Sequence, residues 1–142
     1  CIQGALQDAG ITSQDIDLIS GHLTSTMGDV LEVRNWSEAL HRSGTGFPMI
    51  NSVKSITGHC LSAAGSIECV AALLQLKHQF VHASLNCEDL HPEIAACIDE
   101  NRVVRKTESH KINIIAKSSF GFGDVNSCVL FKKYPTHEPN GN

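Results

Sequence analysis

Lys54 and His59 lie five residues apart in the stretch NSVKSITGHCLSAAGSIE, residues 51–68. An amine and an imidazole at the mouth of a helix can hold charge on a bound group, and ionisable pairs in such places mark reactive sites. The same two residues also fit a loop with a solvated lysine and a capping histidine, and their spacing alone does not choose. A second imidazole, His22, opens the Ser/Thr-rich run HLTSTMGD. Here Ser25, Thr26 and Asp29 read equally well as turn and cap residues. Phe120-Gly121-Phe122-Gly123 places two aromatic rings where backbone must bend, although either ring alone is also a core residue. His78 and His82 are four apart but straddle a helix end without a third ligand, so no metal site is expected.

Several elements must position these groups. Ile2, Ala5 and Leu6 followed by Gly10 predict the tail of an amphipathic helix with a glycine cap. Residues 13–15 form a turn, and Ile16, Leu18 and Ile19 a short strand that runs straight into the His22 loop. A loop between strand and helix lies at a sheet end, where α/β folds place ligands. Apolar spacing predicts a helix over 29–42, capped by Asp29, with Glu32 in its first turn, ended by Gly44 and Gly46. A strand at 47–50 leads into the Lys54 stretch, and a helix follows near 60–77. Its start is poor in bulk (Ala63, Ala64, Gly65), so other backbone can pack closely. Residues 80–85 are extended, and Asn86 opens a polar loop containing His91-Pro92. The charged run 105–111 reads as a hairpin arm or surface loop, and 112–132 as an antiparallel strand pair. Residues 135–142 form a polar tail.

The chain has 142 residues, enough for one domain; 42% are hydrophobic and 18% charged, which suits a packed core and argues against disorder. Net charge is −4 without a basic block, which argues against nucleic acid as a partner. The longest apolar run, near 63–76, is too short and too polar to span a bilayer, which takes about 20 apolar residues. Six cysteines show no CxxC pair; Cys69 and Cys128 fall in apolar segments and read as buried free thiols. They suggest a reducing compartment, the cytosol. The chain begins without Met and in mid-helix, as a piece of a longer protein would.

Three loops therefore recur at element ends. The first is Gly21-His22-Leu23-Thr24-Ser25-Thr26 with Asp29 and Glu32. The second is Ser52, Lys54, Gly58-His59, Ala63-Ala64-Gly65 and Glu68. The third is Ser119-Phe120-Gly121-Phe122-Gly123 with Asn126. Their order and spacing resemble the C-terminal half of the β-ketoacyl-acyl-carrier-protein synthases, condensing enzymes of the thiolase superfamily. The resemblance runs from the opening helix to Lys133.

The resemblance implies an α/β, thiolase-like fold: half of an αβαβα layered pair with a mixed, five-stranded-type sheet over residues 1–134. It implies a 3-oxoacyl-[acyl-carrier-protein] synthase, an acyltransferase catalysing decarboxylative Claisen condensation in fatty acid or polyketide synthesis. His22 and His59 match two donors to the thioester oxygen of the malonyl group. Fixed donors aimed at developing charge in a dry site contribute several kcal/mol. Lys54 matches a lysine paired with Glu68. Phe122 matches a residue whose N–H completes the acyl oxyanion hole and whose ring gates the pocket. Phe120 matches a ring beside the leaving carboxylate, and Thr24 and Thr26 match contacts to the pantetheine arm. No metal or cofactor is implied. The partners would be acyl carrier protein and a second synthase subunit, as homodimer or heterodimer, with no nucleic acid and no membrane.

Three departures stand out. No cysteine here has the context of the family nucleophile, so this chain alone is expected to be inactive in condensation. Leu23 replaces a glycine, and a branched side chain resists the left-handed backbone expected there. Asp124 replaces the glycine after Gly123 and would set a carboxylate near the pocket. The alternative reading is a non-condensing partner subunit of the chain-length-factor type. The presence of His22, His59 and Lys54 together favours the enzyme.

Overall fold

In a computed structural model, which describes residues 1–134, the opening helix spans Ile2–Ala9 (α1) and stops at Gly10, whose φ of 62° is left-handed. Residues 135–142, expected as a polar tail, lie outside the described residues. The turn at Ser13–Asp15 is a single 3-10 turn held by a capping box between Thr12 and Asp15. It delivers the chain into a strand at Leu18–Ser20 (β1), two residues later than the apolar run suggests. A helix at Gly28–Leu40 (α2) follows, and His41 ends it in the left-handed region, ahead of the glycines expected to do so. The next strand is Met49–Asn51 (β2), and Lys54 sits inside a one-turn helix, Lys54–Thr57 (α3).

A 3-10 turn at Leu61–Ala63 then opens the long helix Ala64–His78 (α4). Of the extended segment expected over 80–85, only Phe80–Val81 (β3) is a strand. The polar loop after it contains a helix that was not expected, Pro92–Cys97 (α5). Pro92 stands in its first turn, where the missing N–H costs nothing, and His91 Nδ1 accepts from the Glu93 N–H. The charged arm holds a two-residue strand, Glu108–Ser109 (β4), antiparallel to β3. The last two strands, Ile114–Gly121 (β5) and Val125–Lys132 (β6), form the expected antiparallel pair.

The main sheet has the order β2-β1-β5-β6. β1 runs parallel to both neighbours, and the β5–β6 hairpin makes the sheet mixed. Four named strands replace the five-stranded type expected, with a single parallel bridge from Ile50 to Val103 marking a fifth position beyond β2. Successive side chains of a strand point to opposite faces, and β1 and β5 are buried on both. On one face Ile19, Ile50, Ile114 and Ala116 meet Val30, Val33, Trp36 and Leu40 of α2 and Ile94 of α5. On the other, Leu18, Met49 and Ile115 meet Ala72 and Leu76 of α4. The far side of α4 carries Ile67, Val70, Leu73 and Leu74 exposed. Cys69 and Cys128, expected as buried thiols, are half-buried, and all six cysteines are free.

Candidate active site

Alternation along β5 decides what surrounds the site. Ile115 packs towards α4, so Lys117 and Ser119, two and four residues on, point there as well. Ala116 packs towards α2, and so does Ser118. Lys117 is 2% exposed, and Glu68 of α4 is 1% exposed. A buried charge requires a partner. Glu68 Oε1 receives the ammonium of Lys54, and Oε2 lies 2.5 Å from Lys117 Nζ, outside hydrogen-bond angles and therefore an ion pair only. One carboxylate thus holds two lysines. Lys54 and Glu68 were expected as a pair; Lys117 was not, because the run KSSFG reads as the loop after a strand rather than as the strand itself.

Lys54 Nζ also donates to the His22 carbonyl oxygen at 2.5 Å and approaches His22 Nδ1 at 3.3 Å. An ammonium has no lone pair, so His22 Nδ1 is the acceptor and the ring proton sits on Nε2. His59 reaches the same state by another route. Its Nδ1 accepts the Leu61 N–H at 3.0 Å, leaving Nε2 as the donor. Leu61 holds this turn at φ 50°, a backbone region that costs a branched side chain of order 1–3 kcal/mol. The two rings meet edge to face with centroids 5.5 Å apart, and Phe120 stands edge-on to His22 at 5.7 Å. Burial, then the Lys54 charge, hold His22 below its ordinary pKa, which favours the neutral ring.

The His22 loop is fastened by two carboxylates of α2. Glu32 accepts the His22 N–H at 2.8 Å, the Leu23 N–H at 2.9 Å and the Ser118 hydroxyl at 2.7 Å. Burial pushes its carboxyl up despite those three bonds. Asp29 accepts the N–H groups of Thr24 and Ser25 at 2.8 and 3.0 Å. The expected roles therefore change. Asp29 does not precede the helix as its cap, and Glu32 lies beyond the first turn, facing inward to the loop. A Cβ on Gly21 would come 2.8 Å from Leu23 Cγ and 3.3 Å from Glu32 Oε1, so this position needs glycine. Leu23 takes no left-handed conformation, contrary to expectation; Ser25 does, with φ 59°. The Leu23 side chain instead packs on the α2 core.

His22, His59, Lys54, Thr24, Thr26, Phe120 and Phe122 border one cavity of about 1240 Å³. Glu68 lies behind it, reached through Lys54. The hydroxyls of Thr24 and Thr26 are 3.0 Å apart. Phe122 is fully exposed on the β5–β6 turn, at the rim. That turn needs two left-handed residues, Gly123 at φ 82° and Asp124 at φ 61°. Asp adopts this conformation more readily than most residues, and Asn126 Nδ2 donates to its carboxylate at 3.1 Å. Asp124 borders a smaller cavity of about 520 Å³ rather than the large one, although His22, Thr24 and Phe120 border both. No cluster of metal-ligating side chains occurs among the described residues.

Residues 1–88 match the family described as beta-ketoacyl synthase, C-terminal domain. This chain belongs to that family. The β-ketoacyl synthase relatives extend the match. It is 38% identical over 134 residues to 3-oxoacyl-[acyl-carrier-protein] synthase 2 of Vibrio cholerae, covering 93% of this chain and 31% of the relative. It is 36% identical over 135 residues to the chloroplastic 3-oxoacyl-[acyl-carrier-protein] synthase I of Hordeum vulgare, covering 94% of this chain and 28% of the relative. The chain thus spans about a third of the curated synthases it matches. Among solved structures it resembles a type II polyketide ketosynthase bound to a hexaketide and complexed with its acyl carrier protein. There the TM-score is 0.80 at 31% identity, over 95% of this chain and 32% of that one. The fold of this β-ketoacyl synthase domain is accordingly thiolase-like, α/β with a mixed sheet.

Proposed function

We propose that residues 1–134 form the C-terminal, carbanion-stabilising part of a 3-oxoacyl-[acyl-carrier-protein] synthase. The protein that carries them is then an acyltransferase performing decarboxylative Claisen condensation in fatty acid or polyketide synthesis. The observation that carries this reading is the matched pair of tautomers: both His22 and His59 have Nδ1 occupied, so both bring an Nε2–H to one cavity. The C–CO2 bond of a malonyl thioester breaks, CO2 departs, and the electron pair becomes an enolate whose oxygen receives the two N–H donors. The enolate carbon attacks an enzyme-bound acyl thioester, and the resulting tetrahedral oxyanion expels the cysteine thiolate. The product is a 3-oxoacyl thioester.

Lys54, held by Glu68, keeps His22 in the donor tautomer. Phe122 supplies a backbone N–H to the acyl oxyanion, and its ring gates the pocket. Phe120 sits beside the leaving carboxylate, and Thr24 and Thr26 bind the pantetheine arm. The nucleophile comes from residues outside this chain. Of the six cysteines only Cys87 borders the large cavity, and burial pushes its thiol up, away from the thiolate. Acyl carrier protein is the substrate-bearing partner, which the carrier-bound polyketide ketosynthase supports. The working assembly is a dimer of synthase subunits. Six free cysteines fit a reducing compartment such as the cytoplasm; the barley relative is named chloroplastic.

Decarboxylation of malonyl-carrier protein by the whole protein tests this. His22→Ala and His59→Ala should each lower kcat on the order of 10²–10³-fold, as loss of one oxyanion donor does. An unchanged rate in either variant refutes the assignment. The isolated chain should show no condensation of malonyl-carrier protein with an acyl thioester.

A further inference from the structure

We propose that Lys117 is a second positioning lysine of this site, fixing the far oxygen of Glu68 so that Lys54 stays aimed at His22. Lys117 Nζ donates to the Ser118 carbonyl oxygen at 2.7 Å and to the Ser119 hydroxyl, and forms an ion pair with Glu68 Oε2. Lys54 Nζ has three acceptors for its three protons: Glu68 Oε1, the His22 carbonyl oxygen and His22 Nδ1. The carboxylate between them has no other partner, so each lysine fixes one oxygen. Without Lys117, Glu68 would keep one buried oxygen bare and could turn both towards Lys54, drawing the ammonium off the histidine.

The second ammonium also sets the sign of the local field. Lys54, Lys117 and Glu68 together leave one positive charge behind the His22 ring. Lys54, Glu68, His59 and Lys117 are the charged and titratable groups that act on that ring, and Glu32 and Asp29 hold its loop by backbone N–H bonds. Excess positive charge opposes an imidazolium and so preserves a neutral donor. This inference deepens the role proposed for His22, yet its readouts need no substrate. It can therefore fail, or stand, separately from the synthase reading.

The test is NMR titration of the histidine side chains. In the unsubstituted chain, His22 should carry its proton on Nε2 at neutral pH; a proton on Nδ1 overturns the proposal without any variant. Lys117→Met fills the same volume without charge. It should raise the His22 titration midpoint, because a repelling charge is lost and Glu68 is less neutralised, while Lys117→Arg should leave the midpoint near that of the parent. A folded Lys117→Met chain with an unmoved midpoint overturns the proposal, since a merely space-filling lysine predicts that result. Lys117→Ala leaves a cation-sized gap beside Glu68, so millimolar ethylammonium should raise its Tm. No gain over an equal concentration of tetramethylammonium would also overturn it.

Discussion

Glu32 shows how one side chain can position a loop. Its two oxygens accept two backbone N–H groups and one hydroxyl, while the amide of a glutamine offers a single acceptor oxygen. Glu32→Gln should therefore orphan a donor at His22, Leu23 or Ser118. An unsatisfied buried donor costs about 1–3 kcal/mol, which urea unfolding would register. Hydrogen exchange at residues 22–25 should quicken in the same variant; equal protection would show that Asp29 alone holds the loop. The motif residues His22, Lys54, His59 and Glu68 were readable because each lies in a short run of distinctive neighbours, although Lys54 begins α3 and Glu68 sits on α4 rather than in a loop. Lys117 was not, because its role depends on which face of a strand it occupies. The alternation Ile115-Lys117-Ser119 carries that signal once the strand is known to run through Gly121.

Among the elements, α4 is the one whose surroundings fit its sequence least. It is apolar on both sides, yet only one side packs on the sheet through Ala72 and Leu76. Ile67, Val70, Leu73 and Leu74 remain exposed, with Val70 at 57%. Contiguous apolar surface of this kind drives association. The isolated chain should self-associate in sedimentation experiments, and Val70→Ser with Leu74→Ser should shift it to monomer. The long helices and the final hairpin were readable from their periods. The short helix α5 was not: six residues behind a His-Pro pair look like loop, and its proline and histidine cap gain meaning only as a helix start. Both β1 and β2 lie later in the chain than their apolar runs, because Ser20 and Asn51 are polar and nonetheless buried in the parallel ladder.

For the molecule as a whole, pH acts on stability through groups of opposite sign. His22 and His82 are both held below their ordinary pKa, chiefly by burial. The unfolded chain then binds more protons, and stability falls as pH drops from about 6.5 towards the folded values. Glu32 is shifted upward, so its contribution falls as pH rises from about 4.5 through its folded pKa. In a Glu32→Gln background, which removes the opposing carboxyl, urea unfolding should give a lower free energy at pH 5.5 than at pH 7.5, with a smaller difference after His22→Asn; equal values there would contradict the histidine shifts. The topology adds a constraint in time. β1, which feeds the His22 loop, takes as its neighbour β5, and Asp17 accepts the Ile114 N–H across 97 residues of chain. Such pairing is slow because a long loop must close first. Lys117, Ser118 and Phe120 therefore join His22 only once the farthest part of the chain has docked. During synthesis from the N-terminus the histidines would exist for some seconds, at about 5–20 residues per second, before β5 could complete the site around them.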